Sequence, residues 1–217
     1  MIIKSISNLN LLKFIDESDE NIYFGCDQEW YSTEWQKKSG CGPATACNIL
    51  VYLNFLRLND SGKAVKNNSK EFALLQMEDV WKYITPSENG IATTKMFCRE
   101  LDNYYKSKGL KIVCNSLDIP EEKYLRPNFK DAIHFIEDAM LADSPVAFLN
   151  LCNGDIQSLD RWHWVSIVSL EFDENGIAAN VEIVDEGIIK KIDFYLWYNT
   201  TKLGGGLVYI QLQNEIC

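Results

Sequence analysis

Apolar residues recur at helical spacing over much of the chain before Pro145 and at strand-like spacing after it. A repeat of three to four residues puts one apolar stripe on a helix, whereas β-branched and aromatic runs between turns are typical of an antiparallel sheet. The segments with helical spacing are residues 3–18, 42–58, 69–84, 93–108 and 128–142. The segments expected to form strands are residues 110–114, 146–151, 162–170, 177–184, 188–194 and 206–212.

This order of elements predicts an α+β fold, in which an N-terminal helical half packs on a C-terminal antiparallel β-sheet. The chain of 217 residues is 47% hydrophobic, which is enough for one well-buried domain. No Pro/Ser-rich linker, low-complexity tract or internal repeat divides it. We therefore expect a single domain over residues 1–217.

The charge balance and the apolar runs argue against two classes of partner. Asp and Glu number 31 against 21 Lys and Arg, so that the formal net charge is −10. Because phosphate binding needs clustered basic residues, we expect no nucleic-acid partner. No uninterrupted apolar run is long enough to span a bilayer, and no signal-peptide pattern opens the chain. We therefore expect a cytoplasmic protein without membrane contact.

Seven cysteines stand at irregular spacings, and no two of them form a CxxC pair. The pattern therefore predicts neither a zinc site nor a disulfide framework. An odd number of unpaired cysteines agrees with a reducing compartment. We expect no metal and no cofactor.

The strongest candidate for chemistry is Cys41, in the segment Ser39-Gly40-Cys41-Gly42-Pro43. The flanking glycines and the small residues that follow predict a tight loop leading into a buried helix, with the cysteine in its first turn. Pro43 fits there because the first turn has no intrahelical partner for the missing N–H. The positive end of the helix dipole favours the thiolate, which is the nucleophilic form of cysteine.

A cysteine nucleophile needs a base, and the chain has two histidines. His134 lies in the middle of a predicted helix, where a surface or boundary position explains it. His163 opens a predicted strand between two tryptophans, which can shield a cysteine–histidine pair from water. We therefore predict that His163 is the base.

The residue that orients the base is predicted from the register of the following hairpin. After Asp173 we expect a three-residue loop that ends at Gly176 in the left-handed conformation. In the resulting register Asp185 is a diagonal neighbour of His163 on the same face, within about 7–8 Å. A slip of one residue would send the carboxylate to the other face. Glu186 is the nearest competitor.

Acyl transfer also needs hydrogen-bond donors for the developing oxyanion. The backbone N–H of Cys41 at the helix start is one candidate. An upstream glutamine side chain is the other, either Gln28, just ahead of Trp30, or Gln36, which is closer in sequence to the cysteine. Position in the sequence leaves both glutamines open.

The candidate residues fall within short motifs that occur in the order Gln, Cys, His and Asp. These motifs are Gln28-x-Trp30, Gly40-Cys41-Gly42-Pro43, His163-Trp164-Val165 and Val184-Asp185. In this order they resemble the papain-like cysteine peptidases, and most closely the bacterial branch related to the double-glycine leader peptidases of bacteriocin exporters. The resemblance spans residues 25–187.

The resemblance implies a papain-like fold, with Cys41 as nucleophile, His163 as general base and then acid, and Asp185 as the group that orients the imidazole. It favours Gln28 as the oxyanion glutamine, because Gln-x-Trp upstream of Gly-Cys-Gly recurs in similar bacterial proteins. Gln36 remains the alternative, because a glutamine five or six residues before the cysteine is the more usual papain-like spacing. The membrane and ATPase portions of the exporters are missing here, so a double-glycine leader is not implied as substrate.

Together these observations predict a cysteine peptidase or amide hydrolase that acts on a peptide or protein through a Cys-His-Asp triad. Two rival functions use the same scaffold. An acyl- or peptidyl-transferase would pass the acyl group to an amine instead of water, and an inactive papain-like protein would use its cleft only for binding. The sequence predicts neither the cleavage specificity nor the oligomeric state.

Overall fold

The computed structural model describes residues 1–60, 67–175 and 178–213 of the chain. The α-helices in these ranges are α1 (Glu34–Ser39), α2 (Cys41–Asp60), α3 (Lys70–Trp81), α4 (Thr94–Ser107), α5 (Phe129–Leu141) and α6 (Phe194–Thr200). The strands are β1 (Ile2–Ser5), β2 (Lys13–Ile15), β3 (Ile22–Phe24), β4 (Ile112–Ile119), β5 (Val146–Asn150), β6 (His163–Phe172), β7 (Ala179–Asp185), β8 (Ile188–Asp193) and β9 (Gly205–Leu212). Short 3₁₀ turns lie at Leu9–Leu12, Gln28–Trp30 and Lys123–Leu125.

A single antiparallel sheet forms the centre of the described fold. Its strands run in the order β4-β9-β5-β6-β7-β8, and β1 pairs with β6 as well. Strand β7 pairs along one edge of β6. The other edge of β6 is therefore shared by β5 and β1, which lie end to end along it. The short strand predicted over residues 110–114 extends to Ile119, since β4 pairs with β9 over its whole length. The mixture of helices with an antiparallel sheet is the α+β class that the sequence predicts.

The central helix of the fold is α2, which packs against β5, β6 and α3. Residues 42–53 are all buried, as expected of a helix that is surrounded by other elements and has no polar face. Cys41 is the first residue of this helix, so the candidate nucleophile is anchored in the core. No helix in the described ranges is both long and apolar enough to cross a bilayer.

Four of the predicted helices are present with nearly the predicted bounds, and they correspond to α2, α3, α4 and α5. Two of them, α3 and α4, begin directly after polar caps that the sequence already indicates. The side chain of Ser69 accepts a hydrogen bond from the backbone N–H of Phe72, and Thr93 accepts one from Met96. These local signals account for the accuracy of the helix predictions.

Three predicted segments differ from the structure. Residues 3–18 form β1, a 3₁₀ turn and β2 instead of a helix, because pairing of β1 with β6 outweighs the helical spacing. The segment before Cys41, expected to be a loop, contains α1. The strand predicted over residues 188–194 ends at Asp193, whose side chain accepts a hydrogen bond from the N–H of Leu196 and caps α6.

The β6–β7 hairpin does not keep one register along its length. At the loop end Phe172 pairs with Ala179, one position away from the register that a three-residue loop would set. The loop prediction was therefore wrong at this end. Gly176 and Ile177, which the prediction placed at the end of the loop and the start of the next strand, lie outside the described residues.

A β-bulge between Ile167 and Ser169 then shifts the register by one residue. Beyond the bulge Ser166 lies opposite Val184, which is the pairing that the sequence argument required for the far end of the hairpin. The offset at the loop and the offset at the bulge cancel. The end of β6 that carries His163 therefore has the predicted register.

A disulfide joins Cys98 in α4 to Cys114 in β4, with the Cα atoms 5.8 Å apart. The expectation of no disulfide was wrong, because α4 and β4 follow each other along the chain and pack together. Their separation of 16 residues matches no cysteine motif, so the pairing depends on the fold and not on local sequence. The free cysteines in the described ranges are Cys26, Cys41, Cys47 and Cys152.

Candidate active site

Cys41 lies half-buried at the junction of α1 and α2. Only Gly40 separates the two helices, and the packing leaves no room for a side chain there. A Cβ at Gly40 would lie 2.4 Å from the carbonyl oxygen of Gln36 and 2.9 Å from the ring of Tyr31. This close approach lets α1 lead directly into α2 and sets the cysteine at the start of the buried helix.

His163 and Asp185 form a hydrogen-bonded pair at the neighbouring ends of β6 and β7. Nε2 of His163 lies 2.7 Å from Oδ1 of Asp185, and the two residues are only 9% and 5% exposed. The structure thus brings together the two residues that the register argument placed diagonally. Because Nε2 is engaged by Asp185, Nδ1 is the ring nitrogen left to exchange a proton with another group.

The His163 ring also interacts with the Cys41 thiol, and these two partners decide its charge. Burial lowers the pKa of His163, but the hydrogen bond with Asp185 and the interaction with Cys41 outweigh burial and raise that pKa to about 10. Burial raises the pKa of Asp185, whereas His163 and then Lys190 hold it below its usual value. At neutral pH the arrangement favours an imidazolium beside an ionised carboxylate.

The second oxygen of the Asp185 carboxylate accepts a hydrogen bond from Lys190, with Nζ 2.8 Å from Oδ2. Lys190 also donates to Glu186 at 2.7 Å. Glu186 and Gly187 make the two-residue turn between β7 and β8, and both have positive φ, 52° and 73°. The carboxylate of the competing orienter, Glu186, is therefore bound to the lysine, whereas that of Asp185 contacts His163.

The two candidate oxyanion glutamines lie in different surroundings. Gln36 forms a capping box with Thr33 at the start of α1, and its Nε2 donates to Glu78 at 3.0 Å. Gln28 lies in a 3₁₀ turn and lines the same small cavity as Cys41. Its Oε1 is buried, and no partner for this atom is found among the described residues. Gln28 is thus the glutamine beside the cysteine, and Gln36 is part of a helix cap.

Two cavities of very different size meet at Cys41. The smaller has a volume of about 20 Å³ and is lined by all four predicted site residues, which leaves room for about one water-sized group. The larger is an open cleft of about 570 Å³ that includes Trp35 and Trp162 in its walls. The cleft can hold a peptide segment, whereas the small cavity can hold little more than one oxygen atom.

The tryptophans around the site divide between the core and the cleft. Trp30 packs edge-on against Tyr23, with ring centroids 5.1 Å apart, and is not part of the cleft wall. Trp35 is 42% exposed and leaves the cleft open. Trp162 has a left-handed backbone with φ of 55°, which is rare for a bulky residue and stores strain directly before the candidate base.

The other titratable candidates lie away from this arrangement or play a packing role. His134 is exposed on α5 and lines neither cavity, which matches the surface position expected for it. Cys26 lines the small cavity, and Cys47 is fully buried in the core. Within the part of the chain that the structure describes, no three His, Cys, Asp or Glu side chains converge to hold a metal ion.

Two residues of the site were not predicted, although the sequence contains a signal for each. Lys190 lies diagonally from Asp185 across the β7–β8 ladder, so the register of that tight turn would have indicated it. Asn48 follows Cys41 by seven positions, which places both on one face of α2. Both signals become visible only after the elements themselves have been assigned.

Comparison with known proteins shows similarity in fold. No protein-family model and no curated protein matches this chain. A crystal structure of UfSP from C. elegans, a cysteine protease with a papain-like fold, is similar over 98% of this chain and 35% of its own, with a TM-score of 0.55 and 10% identity. This chain therefore spans about a third of the length of that protein. At this identity the likeness concerns the fold alone.

Proposed function

We propose that this protein is a papain-like cysteine peptidase or a related amide hydrolase. The observation that carries the proposal is the meeting of all four predicted site residues at one small cavity. These residues come from four separate segments of the chain, so their convergence depends on the whole fold. The similarity in fold to UfSP, a cysteine protease, supports the same class of reaction.

Cys41 is the proposed nucleophile. Its thiolate attacks the carbonyl carbon of an amide, so that a C–S bond forms while the carbonyl oxygen takes up the negative charge. A side-chain N–H of Gln28 and the backbone N–H of Cys41 donate hydrogen bonds to this oxyanion. A cavity of about 20 Å³ beside the sulfur suits a single oxygen atom and excludes a side chain.

His163 is the proposed general acid and base. Its Nδ1–H protonates the leaving amine as the C–N bond breaks, which leaves an acyl group on Cys41. The neutral ring then accepts a proton from a water molecule that attacks the acyl carbonyl, and the thiolate leaves. Because Asp185 holds Nε2 at 2.7 Å, the ring keeps its orientation and its positive charge is stabilised in each step.

The proposed substrate is a peptide or protein, because an open cleft of about 570 Å³ begins at Cys41. The motifs described above support a narrower form of the proposal, in which the chain is an enzyme of the bacterial branch related to the double-glycine leader peptidases. This narrower assignment rests on the motifs, and it does not specify the substrate.

A binding protein without catalysis is the rival from another class. It would be favoured by a cysteine out of reach of the histidine or by a cleft that side chains fill. Cys41 instead lines the same small cavity as His163, and Trp35 lines a cleft that stays open. Both observations support an enzyme.

The ester p-nitrophenyl acetate tests the proposal without knowledge of the natural substrate. At neutral pH we expect Cys41 to be acetylated much faster than free N-acetylcysteine, as measured by p-nitrophenol release and by mass spectrometry. Cys41→Ala and His163→Ala should abolish this reaction, and the buried thiols of Cys26 and Cys152 should remain unmodified as internal controls. A Cys41 that reacts no faster than N-acetylcysteine would refute the proposal.

The same assay separates hydrolysis from transfer. If the acetyl-enzyme is hydrolysed, acetate is the product whether or not an amine is added. If glycine amide added to the reaction becomes acetylated faster than it does without enzyme, the transferase alternative is correct for this site.

A further inference from the structure

Asn48 is a buried polar residue on the face of α2 that carries Cys41. It is only 2% exposed and lies about two helical turns beyond the cysteine. Its Oδ1 accepts a hydrogen bond from the backbone N–H of Cys26 at 2.7 Å, and its Nδ2 donates to Oγ of Ser166 at 3.2 Å. Both ends of the amide are thus engaged, which is what a polar side chain requires in the core.

The bond to Cys26 joins α2 to the segment that carries Gln28. Gly25 makes this approach possible, because its φ is 75° and a Cβ there would lie 2.9 Å from Oδ1 of Asn48. On the other side of Cys26, the side chain of Asp27 caps the 3₁₀ turn that begins at Gln28. Contacts on both sides therefore hold the short segment between the glycine and the glutamine.

The bond to Ser166 joins the same amide to β6, the strand that begins at His163. Ser166 is fully buried and lies opposite Val184, the residue before Asp185. Asn48 therefore connects three elements: the helix with the nucleophile, the strand with the base, and the segment with the oxyanion glutamine. The distance between the glutamine and the cysteine depends on how these elements are joined.

We propose that Asn48 is a positioning residue for the oxyanion hole. The inference rests on the proposed function and assigns to Asn48 a role that acts through Gln28. By holding the N–H of Cys26, the amide fixes the backbone two residues before Gln28. It thereby sets the position of the Gln28 side chain relative to the carbonyl oxygen of the substrate. Asn48 also lines the small cavity, but its Oδ1 and Nδ2 are already bonded to Cys26 and Ser166, so the role we assign to it is to position Gln28.

A purely structural role predicts a different pattern of rates. A hydrogen bond that only stabilises the fold would, when lost, affect all reactions of Cys41 alike. Loss of oxyanion positioning affects only reactions that pass through a tetrahedral oxyanion. Acylation by p-nitrophenyl acetate forms such an oxyanion, whereas alkylation by iodoacetamide displaces iodide at a saturated carbon. The ratio of the two rates therefore separates the two roles.

The test uses variants that keep the number and branching of the side-chain heavy atoms. Asn48→Leu removes both the oxygen that accepts from the Cys26 N–H and the NH2 group that donates to Ser166. Asn48→Asp keeps a carboxylate that can accept hydrogen bonds from both the Cys26 N–H and the Ser166 hydroxyl. Asn54→Leu, further along α2 at a different cavity, is the matched control. We expect Asn48→Leu to slow acylation of the cysteine about ten- to hundredfold, as misplacement of a catalytic group does. Alkylation should be unchanged, and Asn48→Asp should restore much of the acylation rate.

Two further measurements complete the test. Hydrogen exchange at the Cys26 amide should be faster in Asn48→Leu and protected in Asn48→Asp. The double variant with Gln28→Ala should be acylated no more slowly than Gln28→Ala alone, because one residue acts through the other. Equal losses of acylation and alkylation, additive losses in the double variant, or unchanged acylation would overturn the positioning role. Failure of the proposed function is a separate result, since wild-type Cys41 would then not be acylated faster than a free thiol.

Discussion

The ammonium group of Lys190 lies 2.8 Å from Oδ2 of Asp185, the carboxylate oxygen that His163 does not use. A chain of contacts therefore runs from Cys41 through the histidine and the aspartate to the lysine. The side chain of Lys190 is 20% exposed, so water screens its attraction to the carboxylate only in part. With the second oxygen held in this way, the first stays directed at the imidazole.

Replacing Lys190 with Met should lower the acylation rate of Cys41 about fivefold, which corresponds to about 1 kcal/mol in the barrier. The physical reason is that Asp185 keeps its bond to the histidine but loses the partner that fixes its orientation. Lys191→Met is the matched control, because the neighbouring lysine pairs with Glu171 and not with the site. Equal rates for the two variants and the wild type in the p-nitrophenyl acetate assay would contradict this prediction.

The raised pKa of His163 predicts how stability depends on pH. Folding favours the imidazolium, so this contribution is fully present below the unfolded pKa of about 6.5. It is lost as the pH rises through the folded pKa of about 10. The difference in unfolding free energy between wild type and His163→Ala should therefore shrink between these two pH values, as measured by urea unfolding. His134→Ala, which removes the exposed imidazole on α5, is the control, and a difference that stays constant for His163→Ala would contradict the prediction.

Replacing the two glutamines should have opposite effects: one variant should lose acylation and the other should lose stability. We expect Gln28→Ala to lower the acylation rate about 10²- to 10³-fold, as loss of an oxyanion donor does, with little change in unfolding free energy. Gln36→Ala should instead destabilise the protein by about 1 kcal/mol, because the capping box of α1 is lost, and should leave acylation nearly unchanged. Acylation rates and urea unfolding of both variants check this. The opposite pattern would make Gln36 the oxyanion glutamine.

Most of the helices could be predicted from the sequence, because the signals that start and end a helix are local. Ser69 and Thr93 stand directly before apolar stripes and cap the helices that follow. Residues 3–18 show the limit of such signals, since their helical spacing competes with a strand pairing to residues far along the chain. That competition is decided by tertiary contacts, which spacing alone does not reveal.

The pairing of His163 with Asp185 was predicted by an argument that contains a compensated error. The predicted loop gave the wrong register beside Phe172, and the bulge between Ile167 and Ser169 corrected it before the site. A bulge has no strong signature in a single sequence, because its extra residue is accommodated by the backbone. The motif order was therefore a better guide to this pair than the counting of residues around the loop.

Position in the sequence left both glutamines open and only the resemblance favoured Gln28, because the contacts that distinguish the two glutamines, like those of Asn48, join distant segments. Gln36 is set apart by its bond to Glu78, and Asn48 is identified by its bonds to Cys26 and Ser166. None of these partners is near in sequence. The pattern of residue types indicates which residues are candidates for such a site. Which of the candidates lie in it becomes known only from the packing of α2 on the sheet.

The Cys98–Cys114 disulfide closes a segment of 16 residues between α4 and β4, and a crosslink of this span contributes about 3 kcal/mol in chain-entropy estimates. Replacing both cysteines with Ser should lower the unfolding free energy of the oxidised protein by about that amount and leave the dithiothreitol-reduced protein nearly unchanged. Urea unfolding under both conditions measures this, with Cys152→Ser as the control. Neither disulfide cysteine lines a cavity at Cys41, so alkylation of Cys41 should not change. Equal stability of the oxidised and reduced wild type would contradict the prediction. It would indicate that Cys98 and Cys114 remain free thiols, as the cysteine spacing had predicted.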